Sequence, residues 1–314
     1  MKFRTEINLT EERNQFNYES SILLVGSCFS ENIYKILDDH KFKALKNPFG
    51  ILYNPTAIET FFRNVINQKE YTKEDIFCQN ERWHCFDAHS DLSAVDPEIL
   101  IKRLNEAVEN TYKHLRTSSH VFITLGSAWV YRYIASDTIV GNCHKVPNKK
   151  FLKELLSIEE ISDHLLSINT LLKDINPTIN IVYNVSPIRH LKDGFVDNAV
   201  SKAHLIAGIH DQVDKYKRVH YFPSYEIMMD DLRDYRFYTE DLLHPNSMAI
   251  NYIWEQFKQV WIEKSSFPLM KKVMTIRKKL GHKPFNPSSQ QHQDFLEQLS
   301  LEIGDLEREL NSKF

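Results

Sequence analysis

Ser27 and Cys28 end an apolar run in SILLVGSCFSENIYKIL (21–37), and Asp241 and His244 stand three apart in DLLHPNS (241–247). Acyl transfer needs a nucleophile, a base that takes its proton, and an acid that orients the base. It also needs hydrogen-bond donors where the oxyanion develops. On a loop, an Asp three residues before a His reaches one imidazole nitrogen and leaves the other facing outward. A serine at a strand-to-helix corner presents its hydroxyl to that second nitrogen, and the amides at the helix start favour negative charge. Ser27 is therefore read as the nucleophile, His244 as the base and Asp241 as its orienter.

Other roles compete at the corner. Serine is a common helix N-cap. Cys28 falls in the first helical turn, where thiolates are stabilised, and is the runner-up nucleophile beside a small apolar role. The late Asp241–His244 pair tips the reading towards Ser27. A second cluster, CQNERWHCFDAH, holds Cys78, His84, Cys85 and His89. Adjacent His84 and Cys85 would point to opposite sides of a strand and could not easily share a metal, so a hairpin rich in His and Cys is the reading. No metal and no organic cofactor is expected.

The elements that must position these residues follow a rhythm. Apolar strand patterns occur at 21–26, 42–47, 120–126, 179–186 and 218–225. Helical patterns lie near 28–40, 55–68, 97–118, 157–175 and 198–217, and another runs from Pro245 to about Lys264. Pro245 suits a first helical turn, where its missing N–H is not needed. Strands alternating with helices predict βαβ units and a parallel sheet covered on both faces. Functional residues in such sheets gather at the carboxyl ends of the strands: Gly26–Ser27, Asn47–Gly50, Gly126–Ser127 and Ser186–His190. Segments 69–96 and 131–152 read as excursions from the core, with 136–146 irregular and polar. Two units are expected, a hydrolase-like domain over 1–264 and a helical C-terminal extension over 265–314.

The chain has 314 residues, 42% hydrophobic and 26% charged, with a formal net charge of -3. That composition supports a sizeable core and carries no basic excess for nucleic acid. No apolar run approaches the roughly 18 residues a membrane span needs, and the first residues lack the apolar stretch of a secretory signal. The expectation is a cytoplasmic protein that engages neither membrane nor nucleic acid. The four cysteines match no CxxC pair and read as free thiols.

The order GSCF, NPFGILYNP (47–55), GNCHKVP (141–147), SPIRHLKDG (186–194), NAVSKAHL (198–205) and a late DxxHP resembles the GSCFA domain family, within the SGNH (GDSL-like) hydrolase superfamily, over residues 20–260. The resemblance implies a three-layer α/β/α sandwich with a central parallel sheet of about five strands. It implies oxyanion donors at the backbone amides of Ser27 and Gly50, although Gly50 alone would also close a turn. The wider superfamily places an Asn side chain after its third strand. Here TLGSAWVY offers Ser127 and no Asn, so Asn142 is the preferred third donor and Ser127 the second choice. His144, Arg189, His190, Ser127 and His89 are the expected substrate-binding residues. Asn142 and His144 would alternatively satisfy loop backbone, and Arg189 would pair either an acidic substrate group or a core carboxylate. Lys202 is read as a solvated helix residue.

The expected function is a serine-dependent esterase or O-acyltransferase acting through an acyl-enzyme on a small-molecule or carbohydrate ester, such as an O-acetylated sugar. A non-catalytic phosphate- or nucleotide-binding or interaction module on the same fold is the alternative. Against nucleotide binding stands the absence of GxGxxG and GxxxxGK[ST]. The oligomeric state is not legible.

Overall fold

The computed structural model describes residues 5–310; residues 1–4 and 311–314, the outer ends of the two expected units, lie outside the described residues. The chain begins its regular structure with β1 (Ser21–Gly26), α1 (Cys28–Asp39), β2 (Lys43–Lys46) and α2 (Pro55–Ile66). A hairpin of β3 (Phe77–Gln79) and β4 (Arg82–His84) follows, then α3 (Pro97–Leu115) and β5 (Ser118–Leu125). Next come β6 (Trp129–Tyr133), β7 (Thr138–Val140) and β8 (Phe151–Leu155), then α4 (Ile158–Ile175), β9 (Asn180–Val185), α5 (Phe195–Val213) and β10 (Val219–Tyr221). The one-turn α6 (Ser224–Glu226), α7 (Ser247–Trp261), α8 (Phe267–Leu280) and α9 (Gln290–Leu310) complete the order.

Several helix starts follow from local chemistry. Asn54 caps α2 through its side chain with Pro55 at the first helical position, and Ser157 with Glu160 forms a capping box on α4. The Pro245 expectation is corrected by two residues. Asn246 is the cap of α7, accepting from the Ala249 amide at 3.1 Å, while Pro245 is buried in a bridge to Tyr238.

The central sheet has five parallel strands in the order β10–β9–β5–β1–β2. Successive side chains of a strand alternate between faces, and the core divides accordingly. Leu23 and Val25 of β1 join Val121, Ile123, Ile181 and Tyr183 beneath α2, α3, α4 and α5. Ile22 and Leu24 join Phe122 and Val182 beneath α1 and α7. This is an α/β fold with helices on both faces of a parallel sheet, and a helical region at the C-terminal end.

The second excursion differs from its sequence reading. β6, β7 and β8 form an antiparallel sheet of their own, so segment 136–146, expected to be irregular, contributes a strand. Val140, Val146 and Phe151 pack with Phe77, Phe86 and Tyr133 in a small satellite core. In the C-terminal region α8 and α9 share Val273, Ile276, Leu299 and Leu306.

The strand order reverses between β1 and β5: the chain leaves β1 for β2 on one side and builds β5, β9 and β10 on the other. Ligands of open parallel sheets bind at such a switch point, beyond the carboxyl ends of the strands. Ser27 follows β1 and Gly126 follows β5, so both stand at that crevice.

Candidate active site

The corner after β1 depends on a glycine. Gly26 has φ +136°, and a Cβ there would lie 2.2 Å from the Thr124 carbonyl oxygen of β5, so no other residue fits. Ser27 follows, 2% exposed, as the N-cap of α1, with its hydroxyl accepting from the Phe29 amide at 3.4 Å. That bond is long for N–H···O. The cap and nucleophile readings therefore meet on one atom, loosely held. Asn47 ties the corner to the β2 end: its side-chain oxygen accepts from the Gly26 amide at 2.9 Å, and its own amide donates to the Leu24 carbonyl at 2.8 Å.

The two amides expected to receive the oxyanion are engaged elsewhere. The Ser27 N–H continues the ladder to β5, donating to the Thr124 carbonyl at 3.0 Å, and the Gly50 N–H closes a turn on the Asn47 carbonyl at 2.7 Å. For Gly50 the turn-closing alternative describes the geometry. The Cys28 amide is the first of α1, a position whose N–H has no acceptor within its own helix. Burial pushes the Cys28 thiol up from its usual pKa, which disfavours a thiolate nucleophile.

The second half of the constellation is formed as the spacing predicts. His244 Nδ1 lies 2.5 Å from Asp241 Oδ2. The Asp241 carboxylate also accepts from the Thr239 hydroxyl at 2.6 Å and from the Leu243 and His244 amides at 2.9 and 3.0 Å. These bonds, the His244 amide foremost, hold its carboxyl well below the usual range. The carboxylate thus stays charged and engages the ring at Nδ1. Both side chains are about half exposed. Among the described hydrogen bonds none joins Ser27 to His244.

Two further groups stand beside the serine corner. A Cβ placed on Gly126 would lie 3.3 Å from His190 Nε2, 3.5 Å from Ser27 Cβ and 2.9 Å from Tyr53 Cβ. His190 is also within electrostatic reach of Lys202 and His244. Lys202, expected to be solvated, is 1% exposed. Its ammonium donates to the Gly126 and Ser186 carbonyls, both at 2.8 Å, joining the carboxyl ends of β5 and β9. Among the described ion pairs it has no carboxylate partner. Burial pushes its pKa down to about 7.

This sets a sign. Between pH 7 and the ordinary lysine value of 10.5, the unfolded chain binds a proton at this position that the folded chain has released. Lys202 therefore makes stability rise with pH across that window, by up to about 1.4 kcal/mol per unit. In urea unfolding at pH 6, 8 and 10, the stability of the native chain relative to Lys202→Met should increase with pH. Parallel pH curves for the two proteins would contradict a buried titrating ammonium.

A family model, described as the GSCFA family, matches residues 21–257. The chain belongs to the GSCFA family. A second model, the GSCFA domain protein C-terminal domain, matches residues 273–313. No curated protein matches. Among solved structures, this GSCFA chain is similar to an acetyl xylan esterase from the rumen bacterium Butyrivibrio proteoclasticus, with 9% identity, TM-score 0.40, and coverage of 84% of this chain and 65% of that one. It is similar to a family two carbohydrate esterase from Clostridium thermocellum, with 10% identity, TM-score 0.37, and coverage of 85% and 66%. A carbohydrate esterase family 3 protein from Talaromyces cellulolyticus matches with 9% identity, TM-score 0.34, and coverage of 82% and 99%. The chain spans just under two thirds of the first two proteins, and no role is carried over from any of the three.

The other expected site residues of this GSCFA protein divide. His144 is 3% exposed and uses both ring nitrogens internally, Nε2 with the Cys85 carbonyl at 2.7 Å and Nδ1 with Ser90 at 3.0 Å. It pins the satellite core rather than facing a substrate, and burial pushes its pKa down to about 4. Asn142 forms the loop alternative: its side-chain oxygen accepts from the His144 amide at 2.8 Å. Ser127 is buried, its hydroxyl accepting from the Trp129 amide at 3.0 Å and lying 3.3 Å from the Ser201 hydroxyl; the rotor is recruited by its own turn. His89 packs against Gly50 and pairs with Asp91 at 3.1 Å. The Arg189 guanidinium lies 2.9 Å from the Met229 sulfur, with no carboxylate partner among the described ion pairs; burial raises the pKa of the neighbouring Tyr225 and Tyr238, and the Arg189 charge only partly opposes it.

Of the zinc candidates, His84 bonds Ser93 at 2.6 Å and the Gln79 carbonyl at 3.1 Å, and the described residues hold no group of three metal-ligating side chains. Among the described residues, no helix is long and apolar enough to cross a membrane.

The sequence reading missed Tyr53, placed Asn47 only as a strand-end residue, and read Lys202 as solvated. Tyr53 accepts the Gly126 amide at 2.7 Å through its carbonyl. Lys202 had a usable signal: it shares helical spacing with Asn198, Leu205 and Ile209, all on the buried face of α5.

Proposed function

We propose that this chain is a serine-dependent esterase or O-acyltransferase of SGNH type, acting on small acyl esters. The observation that carries the reading is the Asp241–His244 pair at 2.5 Å, combined with a serine at the switch point of the sheet. Ser27 Oγ attacks the ester carbonyl carbon as His244 Nε2 takes its proton. The resulting oxyanion forms beside the first turn of α1, where the Cys28 amide is the nearest backbone donor in sequence and the helix dipole favours negative charge. The tetrahedral centre collapses, His244 returns the proton to the leaving alcohol, and an acyl ester remains on Ser27. A water or a sugar hydroxyl then gives its proton to His244 and takes the acyl group, and His244 passes that proton to Ser27 Oγ, regenerating the serine. None of these steps draws on a metal or organic cofactor.

An acetyl group on a carbohydrate is the favoured substrate, by the superfamily resemblance alone. Arg189, lacking a carboxylate partner, suits an acidic substituent on the same substrate. The test is acetate release from p-nitrophenyl acetate and from a peracetylated monosaccharide, with and without an added sugar acceptor. The reading expects release that depends on Ser27 and, for a transferase, acetate moved to the acceptor. No turnover of either ester, together with micromolar nucleotide binding, would support the binding-module alternative.

A further inference from the structure

We infer that His190 supplies, through Nε2–H, the side-chain hydrogen bond to the oxyanion that the segment after β5 lacks. The inference rests on the serine-esterase reading above and assigns one more group of that site.

His190 Nε2 is buried and has no hydrogen-bond partner among the described residues. Leaving a buried polar atom unpaired is costly, and such atoms in native proteins call for an explanation, a catalytic role among them. The position of the atom provides one. Nε2 and Ser27 Cβ both lie within 3.5 Å of the point where a side chain on Gly126 would begin. Because residue 126 is glycine, the serine and the imidazole can both approach its backbone this closely. A Cβ there would press on the imidazole and collide with Tyr53, 2.9 Å away.

The ring is held in place. The His190 amide donates to the Asn198 side chain at 2.9 Å, and its ring stacks on Tyr53 with centroids 5.9 Å apart and planes 29° apart. Tyr53 in turn binds the Gly126 amide. A donor fixed before the reaction needs no reorganisation as charge develops, which is where oxyanion stabilisation gains most.

The field has the right sign. Lys202, tied to the Gly126 carbonyl, and the start of α1 both make this corner favourable to a negative charge. His190 and His244 lie within electrostatic reach of each other, and their surroundings separate their roles. His244 has a carboxylate on its ring and can carry the serine proton. His190 has no carboxylate in hydrogen-bonding contact among the described residues. Its pKa is pushed down to about 4, first by burial, then by Lys202 and His244. It therefore stays neutral through the working range, a poor proton acceptor and a sound donor. Neutral imidazoles act as electrophilic donors in this way where positive surroundings suppress protonation.

The test compares His190→Phe and His190→Gln with the native chain, using p-nitrophenyl acetate for turnover, phenylboronic acid as a tetrahedral anion mimic, and circular dichroism for folding. His190→Phe should lose on the order of 100- to 1,000-fold in kcat with KM changed only a few-fold. It should bind the boronate correspondingly less well and retain the native rise of rate with pH. His190→Gln, which offers an N–H in its place, should recover at least part of the loss. Near-native turnover in His190→Phe overturns the inference, as does loss of the pH-dependent rise, which would make His190 the base. If His190→Phe does not fold, nitrogen-15 NMR of the native boronate adduct decides: a His190 Nε2–H signal shifted on adduct formation supports the role, and an unprotonated Nε2 overturns it. A native chain that neither turns over the ester nor reacts with a fluorophosphonate removes the esterase reading and this inference together. Normal labelling with a fully active His190→Phe removes the inference alone.

Discussion

Ser27→Ala is expected to lower kcat for p-nitrophenyl acetate by on the order of 10⁴- to 10⁶-fold, while the protein keeps its fold. The two halves of that statement separate the competing roles of this residue. The hydroxyl caps α1 through a 3.4 Å bond, too long to contribute the full strength of a cap. Removing it should cost about 0.5–1 kcal/mol, the low end for cap losses. A residue that only capped the helix would show that small destabilisation and no change in rate. A nucleophile shows the reverse proportion. Steady-state kinetics and urea unfolding on the same preparation distinguish them. Cys28→Ser should keep most of the activity, because burial already holds that thiol protonated. Turnover that survives Ser27→Ala and vanishes in Cys28→Ser would move the nucleophile by one residue.

His244→Ala is expected to produce a loss of similar size, on the order of 10⁴- to 10⁶-fold, and to change the shape of the pH profile. An imidazole must be neutral to accept the serine proton, so kcat/KM of the native chain should rise with pH and then level off. Other groups do not mimic that rise in the variant. His190, held near 4 by burial, is already neutral at the start of the range. Asp241 is kept charged well below it by the His244 and Leu243 amides and the Thr239 hydroxyl. Lys202, near 7, loses its charge as pH rises, which weakens the field at the oxyanion and works against the rate. Residual activity of His244→Ala should therefore lack the native rise. A variant that keeps the native pH profile, at any rate, would exclude His244 as the base.

The sheet was legible because its strands are apolar on both faces. Leu23 and Val25 pack one way and Ile22 and Leu24 the other, so the run SILLVG could only be a buried strand. β7 and β8 were not legible for the opposite reason. They are short, expose Leu152 and Lys153 to solvent, and hold together by antiparallel pairing with β6 that leaves no apolar run. Asp241 and His244 were legible because their partnership is local. The expected oxyanion amides were not, because a serine amide at a strand end is free only if the neighbouring strand has ended, and β5 extends far enough for Thr124 to take it. Lys202 was misread by residue type. A lysine is almost never fully buried without a partner, and here two strand-end carbonyls are the partners. The place of His190 was not legible because its ring meets Gly126 and the serine corner only once the ends of β1, β5 and β9 are assembled.

The central claim is that one serine, at the end of the first strand, forms a covalent acyl-type adduct. The measurement that bears on it most directly is reaction of the native chain with a fluorophosphonate, followed by proteolysis and mass mapping of the modified peptide. One phosphonyl group per chain is expected on the peptide carrying Ser27, with no labelling in Ser27→Ala and strongly slowed labelling in His244→Ala. An unmodified native chain, or an adduct on any residue other than Ser27, would contradict it.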